Sequence, residues 1–280
     1  MAEIGKFNTL EVVKQVDFGL YLDGGEEGEV LLPNRYIPDG WEEGGMVDVF
    51  LYLDSEDRPI ATTETPFAEV GSCATLRATN STKFGTFMNW GLMKDLFVPF
   101  SEQRTPMKPG QHYTVYLFID NSGRIAASSK LNRYLEEVDD GDFDVGEEVD
   151  LLIASRGDIG YKAVINGTHL GLIHTSMIFK KISLGDKMRG YIQDIREDGK
   201  INLMLRRPGQ GERKELADVI LDDLRAKGGV STITDKSSPQ VISDAFGVSK
   251  SHYKRAIGLL YKARKISLGA GKVTLNEDAE

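Results

Sequence analysis

Phe18-Gly19-Leu20-Tyr21, Phe84-Gly85-Thr86-Phe87 and Ile159-Gly160-Tyr161-Lys162 are three versions of one phrase, and their spacing decides the fold. Gly5, Gly71 and Gly146 precede the first residue of each by 13 positions. Pro33, Pro99 or His174 follows that residue by 15, and Gly44, Gly110 or Gly185 comes 11 later. Each version ends on two residues four apart: Asp54 and Arg58, Asp120 and Arg124, Arg196 and Lys200. Features held in constant register mark an internal repeat, here about sixty to seventy residues long.

Each unit reads as β. Short runs of Val, Ile, Leu, Phe and Tyr are broken by Gly, Asp and Asn. In the first unit they fall at 10–16, 19–22, 30–32, 46–53 and 59–63. Five such strands cannot hide both edges of an open sheet, so a small closed barrel is expected. Gly19, Gly85 and Gly160 interrupt a strand pattern, which predicts a bulge or a sharp barrel corner at each.

These residues carry a resemblance. The aromatics of the first two units, with Gly171-Leu172-Ile173-His174-Thr175-Ser176 and Gly185-Asp186-Lys187 of the third, resemble the RNA-binding repeat of ribosomal protein S-one. That resemblance implies a five-stranded OB-fold barrel that binds single-stranded RNA. Three such units and a short helical tail are together similar to the conserved virulence factor B proteins of bacteria, over nearly the whole chain.

The chain has 280 residues and is 40% hydrophobic, so it is expected to be folded along most of its length. Its lone cysteine, Cys73, excludes an internal disulfide and a thiolate metal cage. No apolar run is long enough to span a membrane, and Met1-Ala2-Glu3-Ile4-Gly5-Lys6 does not read as a secretory leader. The cytoplasm is the expected compartment. Net charge is −9, yet it is unevenly spread. Residues 1–70 hold 4 Lys/Arg against 16 Asp/Glu; residues 146–210 hold 10 against 8, and residues 211–280 hold 12 against 10. Phosphate repulsion should keep nucleic acid off most of the first unit, so the back half is the better binding surface. An acidic surface also serves solubility, or the docking of a basic protein partner.

Residues 138–145 are acidic and read as a linker. Pro and Gly at 207–211 mark a second boundary. The apolar period then changes from about 2 to about 3.6. Leu216, Val219, Ile220 and Leu224 predict one face of a helix over about 212–227, ended by Gly228-Gly229. Ser237 or Ser238 caps a short helix with Pro239 at its first position, burying Val241, Ile242 and Phe246. Gly247 makes a turn and Ser249 caps a longer helix through about Arg264. That is helix–turn–helix spacing. A hairpin over 265–275 and a short strand near 229–233 complete a winged helix. The predicted fold class is therefore mainly β with a C-terminal α+β unit. Three tandem five-stranded OB-fold barrels span 1–68, 69–137 and 138–209, and the winged-helix domain spans 210–280.

Single strands are held by aromatic stacking plus cations along the backbone. The aromatic candidates are Phe18, Tyr21, Phe84 and Phe87, with Tyr161 one residue out of register in the third unit. Residues three apart on a regular strand face opposite sides, so both members of a pair reach one ligand only if a bulge intervenes; otherwise one is barrel core. The resemblance places Arg58, Arg124 and Lys200 beside the ligand and gives His174, but not Pro33 or Pro99, a stacking role. Lys162 stands where an aromatic belongs, and Arg196 replaces the acidic residue, adding positive charge. A local Asp–Arg turn contact is the alternative for the pairs at 54–58 and 120–124. In the helix–turn–helix, the second helix carries Lys250, Lys254, Arg255 and Lys262, and the wing adds Lys265.

No Walker-type loop, zinc spacing of histidines or base partner for Cys73 is found, and carboxylate runs fall in loops, so the chain does not read as an enzyme and calls for no cofactor or metal. The expected function is binding of single-stranded RNA in post-transcriptional control. In that reading barrel three and the winged helix share a basic surface. The alternatives are a duplex-DNA-binding regulator and a protein-interaction scaffold on the translation or transcription machinery.

Overall fold

In the computed structural model the three repeats fold into closed five-stranded barrels with one strand circuit. The structure describes all residues except 1, 140, 179–180, 207–210, 270 and 277–280, and only the backbone of 211–215. The chain divides into two compact units, Met1–Leu205 and Arg206–Glu280. The predicted boundary at 207–211 falls mostly outside the described residues.

Barrel one comprises β1 (Phe7–Val16), β2 (Gly19–Asp23), β3 (Glu29–Pro33), β4 (Met46–Leu53) and β5 (Pro59–Thr62). Barrel two comprises β6 (Cys73–Ser81), β7 (Gly85–Asn89), β8 (Leu96–Pro99), β9 (His112–Ile119) and β10 (Ile125–Ser128). Barrel three comprises β11 (Glu148–Arg156), β12 (Gly160–Ile165), β13 (His169–His174), β14 (Lys187–Ile195) and β15 (Ile201–Met204). In each, the third strand pairs in parallel with the fifth and the fourth returns to the first, so no edge is left exposed. Alternating residues fill the interiors: Val12, Leu20, Leu22 and Leu32 in the first, Leu76, Met88 and Val98 in the second, Ile153, Ile165 and Ile173 in the third.

The interrupting glycines do not make the bulges. Those lie on the preceding strand, between Val12 and Lys14, Ala78 and Asn80, and Ile153 and Ser155. The glycines instead permit close approach of the second strand to the third. A Cβ on Gly19 would sit 2.3 Å from the Leu32 carbonyl oxygen, on Gly85 2.4 Å from that of Val98, and on Gly160 2.0 Å from that of Ile173. The carbonyl just before each glycine accepts a hydrogen bond from the amide that opens a 3-10 turn: Asn34 to Phe18 (3.1 Å), Phe100 to Phe84 (3.3 Å) and Thr175 to Ile159 (3.0 Å).

Pro33, Pro99 and His174 occupy one backbone conformation, φ −58, −57 and −67. Proline is locked near that value, which explains why it and histidine interchange there. The third repeat has one residue more than the others between Gly185 and Arg196. A further bulge in β14, between Ile192 and Asp194, absorbs it.

The acidic segment before barrel three is anchored. Val138 and Phe143 pack on that barrel's core, and Phe143 meets the His169 ring edge-on at 4.9 Å.

The second unit holds α1 (Gly211–Ala226), β16 (Val230–Ser231), α2 (Pro239–Phe246), α3 (Lys250–Lys262) and the wing strands β17 (Ile266–Gly269) and β18 (Lys272–Leu275), with sheet order β16-β18-β17. Ser238 caps α2 by accepting from the Val241 amide, and Ser249 caps α3 by accepting from that of His252. Gly247 ends α2 at φ 66, in the left-handed region that favours glycine. Two of the predicted core residues are corrected: Val219 and Val241 are exposed, whereas Leu221, Tyr253 and Ala256 are buried. Packing of α1 against α2, α3 and β18 selects those faces, which the periodicity of one helix alone does not resolve.

Candidate nucleic-acid interface

Phe18 sits in the turn before β2, outside the regular strand, so the alternation that would oppose it to Tyr21 does not apply. The two rings meet edge-on at 6.3 Å, and Phe18 is 55% exposed. Lys14 Nζ lies 5.0 Å from the Tyr21 ring centre and also bonds Glu29 at 2.6 Å. That lysine had no sequence signal, because its approach to Tyr21 depends on the β1 bulge. Arg58 pairs with Asp54 (2.8 Å) and Glu56 (3.0 Å), so the local turn contact is the one formed here. Partial burial works to raise the Asp54 carboxyl, but the Arg58 amide and guanidinium and the Glu56 amide outweigh it and hold the carboxyl below the usual aspartate range. Lys14 and Arg58 of barrel one are thus balanced by that barrel's own carboxylates.

Barrel two carries the most developed aromatic surface. Phe84 is 67% exposed, with Lys83 Nζ 4.9 Å from its ring centre. Phe87 is half-buried and packs on Phe97, its cross-strand partner on β8, at 5.1 Å. These rings line a cleft of about 780 Å³ together with Trp90, Lys94 and Arg124. Tyr52, Ser55 and Asp57 of barrel one form its other wall. Trp90 is buried, donates its indole N–H to the Lys94 carbonyl (2.6 Å) and meets Phe50 of barrel one edge-on at 5.7 Å. Asp120 accepts from the Ser122 hydroxyl and amide and from the Arg124 amide. Burial opposes these bonds, yet they keep its carboxyl below the ordinary range. The Arg124 guanidinium pairs with Asp57 of barrel one. Phe97, Lys83 and Lys94 were missed by sequence reasoning; the 97-to-87 strand pairing was the signal that would have found the first.

In barrel three the pleat separates two candidates. Tyr161 pairs with the core residue Ile173 and packs against the barrel interior, with the Arg156 guanidinium 5.8 Å from its ring centre. It therefore does not take the place of the outward Tyr21 and Phe87; Lys162, paired with Leu172, does. His174 is exposed, and its Nδ1 lies 2.8 Å from the Ser176 hydroxyl and accepts from the Ser176 amide (3.3 Å), capping the 3-10 turn. An accepting Nδ1 places the neutral ring's proton on Nε2. Arg196 and Lys200 both reach Asp198, at 3.2 and 2.6 Å. The expected gain of charge from Arg196 is thus offset within the same hairpin. Lys200 also holds the Asp198 carboxyl below its usual range.

On the second unit, Lys254, Arg255 and Lys262 project from α3 as exposed cations, and Lys250 and Lys265 are half-buried. Tyr253, Ala256, Ile257 and Leu260 of the same helix face the core. Tyr253 stacks on Phe246 at 5.0 Å and donates its hydroxyl to the Ile233 carbonyl at 2.8 Å. Among the described residues, no group of three or more His, Cys, Asp or Glu is placed to hold a metal ion, and no helix is long and apolar enough to cross a membrane.

Comparison with known proteins agrees with this anatomy. An S1 domain model matches residues 4–64 and 70–130, and a CvfB-like winged helix domain model matches residues 218–275. The protein YitL of Bacillus subtilis is 30% identical over 94% of this chain and 90% of its own length. Conserved virulence factor B of Staphylococcus aureus is 26% identical over 98% of this chain and 94% of its own. A crystal structure of a multidomain protein with nucleic acid binding domains from Streptococcus pneumoniae aligns over 98% of both chains at 24% identity, with a TM-score of 0.41. S1 domains joined to a winged helix of this type, in a chain alike from end to end, make this protein a member of the CvfB/YitL family.

Proposed function

We propose that the chain binds single-stranded RNA and acts in post-transcriptional control of gene expression in the cytoplasm. One observation carries the reading: Phe84, Phe87 and Phe97 line an open cleft with Lys94 and Arg124. Stacking rings beside cations are what a single strand requires, and a stacked base contributes about 1–3 kcal/mol. Phe18 and Tyr21 offer a weaker version on barrel one, under a surplus of carboxylates. Barrel three contributes Lys162, His174 and Lys200, and the winged helix contributes the cations of α3. Several weak contacts on one chain reinforce each other through effective concentration.

The test is fluorescence anisotropy of the full chain with labelled single-stranded RNA, matched single-stranded DNA and duplex DNA, at two salt concentrations. Salt-sensitive binding that prefers the RNA supports the reading. A sequence-specific duplex site would replace it with a second reading, DNA regulation through α3. That alternative is favoured by Lys254, Arg255 and Lys262, which have no ion-pair partner among the described residues. No nucleic-acid binding would favour a scaffold whose acidic first barrel docks a basic protein.

A further inference from the structure

A second cleft, of about 210 Å³, lies between barrels two and three, away from the aromatic cleft. Arg104 and His112 of barrel two and Arg156 and Lys162 of barrel three line it, and no carboxylate does. Neither arginine nor Lys162 has an ion pair among the described residues. The aromatic cleft differs: Asp57, Asp95 and Asp120 line it, and Asp57 pairs with Lys94 and Arg124.

The cleft is built on a firm floor. Leu131, Leu135, Ala154 and Val164 are buried together between the two barrels. The segment presenting Arg104 is pinned by the buried Gln103, whose amide donates to Thr86 (3.1 Å) and to the Val98 carbonyl (3.0 Å) and accepts from the Met107 amide (3.0 Å). The Arg104 amide itself donates to the Ser129 hydroxyl at 2.8 Å. Opposite, the β11 bulge between Ile153 and Ser155 re-aims the strand end that carries Arg156.

Cations gathered from two domains without a counter-charge repel one another until an anion joins them. Half-burial, then Arg104 and then Lys200, push the Lys162 ammonium below its ordinary range, so the repulsion is felt at the site. We propose that this seam is a phosphate-binding subsite which holds one phosphodiester of a single-stranded RNA as the strand passes from barrel two to barrel three. The inference rests on the RNA-binding reading above and adds where the backbone crosses. Guanidinium groups suit a phosphate's paired oxygens, and Arg104 and Arg156 approach from opposite walls.

The experiment uses the full chain with Arg104→Gln and Arg156→Gln together, both exposed, and labelled oligouridylates of about 4 and about 16 nucleotides, the span of site sizes for such barrels. The longer RNA is expected to bind about tenfold more weakly, with a salt slope shallower by about 0.7, the contribution of one single-strand phosphate. The short RNA, held by one barrel, is expected to keep its affinity, and the melting temperature to stay in place. Wild-type affinity and slope on the long RNA would overturn the subsite while leaving RNA binding intact. Equal loss on both RNAs would overturn the crossing role. Competition by inorganic phosphate beyond chloride of equal ionic strength would assign the cleft to a free anion instead. Failure of the unaltered chain to bind the long RNA would remove the RNA reading, and the subsite with it.

Discussion

The guanidinium of Arg124 is paired with Asp57, on the hairpin of the neighbouring barrel, while Asp120 four residues before it bonds only amides and a hydroxyl. Lys94 joins the same junction, donating to the Asp54 carbonyl at 2.6 Å. The residue that the resemblance places beside the ligand in barrel two is therefore held by a carboxylate of barrel one. Asp57→Ala should free it. Stability is expected to change by less than about 1 kcal/mol, because both partners are substantially exposed. RNA affinity should rise, and its salt slope should steepen by about 0.7 for the one cation released. Anisotropy titration of the variant decides this; weaker binding would mean that Asp57 orients Arg124 productively.

Phe84 and Phe87 should separate binding from folding. Phe84 is 67% exposed, so Phe84→Ala is expected to cost about 1–3 kcal/mol of RNA affinity while leaving the urea midpoint in place. Phe87 packs on Phe97, so Phe87→Ala should lower both. Equal RNA affinity in the unaltered chain and Phe84→Ala would take the exposed ring out of the interface.

Two glycines should respond oppositely to a methyl group. At Gly85 the new Cβ would meet the Val98 carbonyl oxygen at 2.4 Å, so Gly85→Ala is expected to destabilise by at least about 2 kcal/mol. Gly258 lies inside α3 with open space around its Cβ direction. Gly258→Ala should stabilise the second unit by about 0.5–1 kcal/mol through helix propensity. Urea unfolding of both variants checks the pair.

Alkaline pH should loosen the fold before it affects the surface. Burial pushes the Cys73 thiol from 9.0 up to about 12, and burial first, then neighbouring charges, push the Tyr52 and Tyr253 hydroxyls from 10.0 up to about 12. The folded state thus keeps its protons where the unfolded chain releases them. Stability from these groups is full below 9.0 and falls as pH rises towards about 12. Melting temperatures measured from pH 8 upward should decline, and Cys73→Ala should remove the earliest part of that decline. A flat profile would show that these groups are not shielded.

The repeat was legible because barrel closure depends on intervals, and intervals survive substitution. Helix caps at Ser238 and Ser249 were legible because capping is local chemistry. What escaped was whatever depends on pairing between strands or between barrels. The glycine of the repeated phrase was read as a bulge or a sharp barrel corner, since sequence shows the absence of a side chain and not the carbonyl that would strike it. Arg124 has Asp120 at the expected spacing, and nothing local points to Asp57. Tyr161 was offered for stacking, but its register with Ile173 turns it inward. Arg104 and Arg156 are 52 positions apart and became neighbours only through the packing of two barrels.

The strand approach at Gly19, Gly85 and Gly160 also bears on how this protein diversified. Each copy inherited a point at which no side chain fits, whatever the copy now binds. The third copy has Ile159, Lys162 and His174 where the other two have two aromatics and a proline, yet it shares the glycine and the 15-residue interval. Ligand chemistry and barrel geometry are therefore separately mutable here. Lineages derived from such a duplication can retire or repurpose a barrel's surface by ordinary point changes, with the scaffold carried along unchanged.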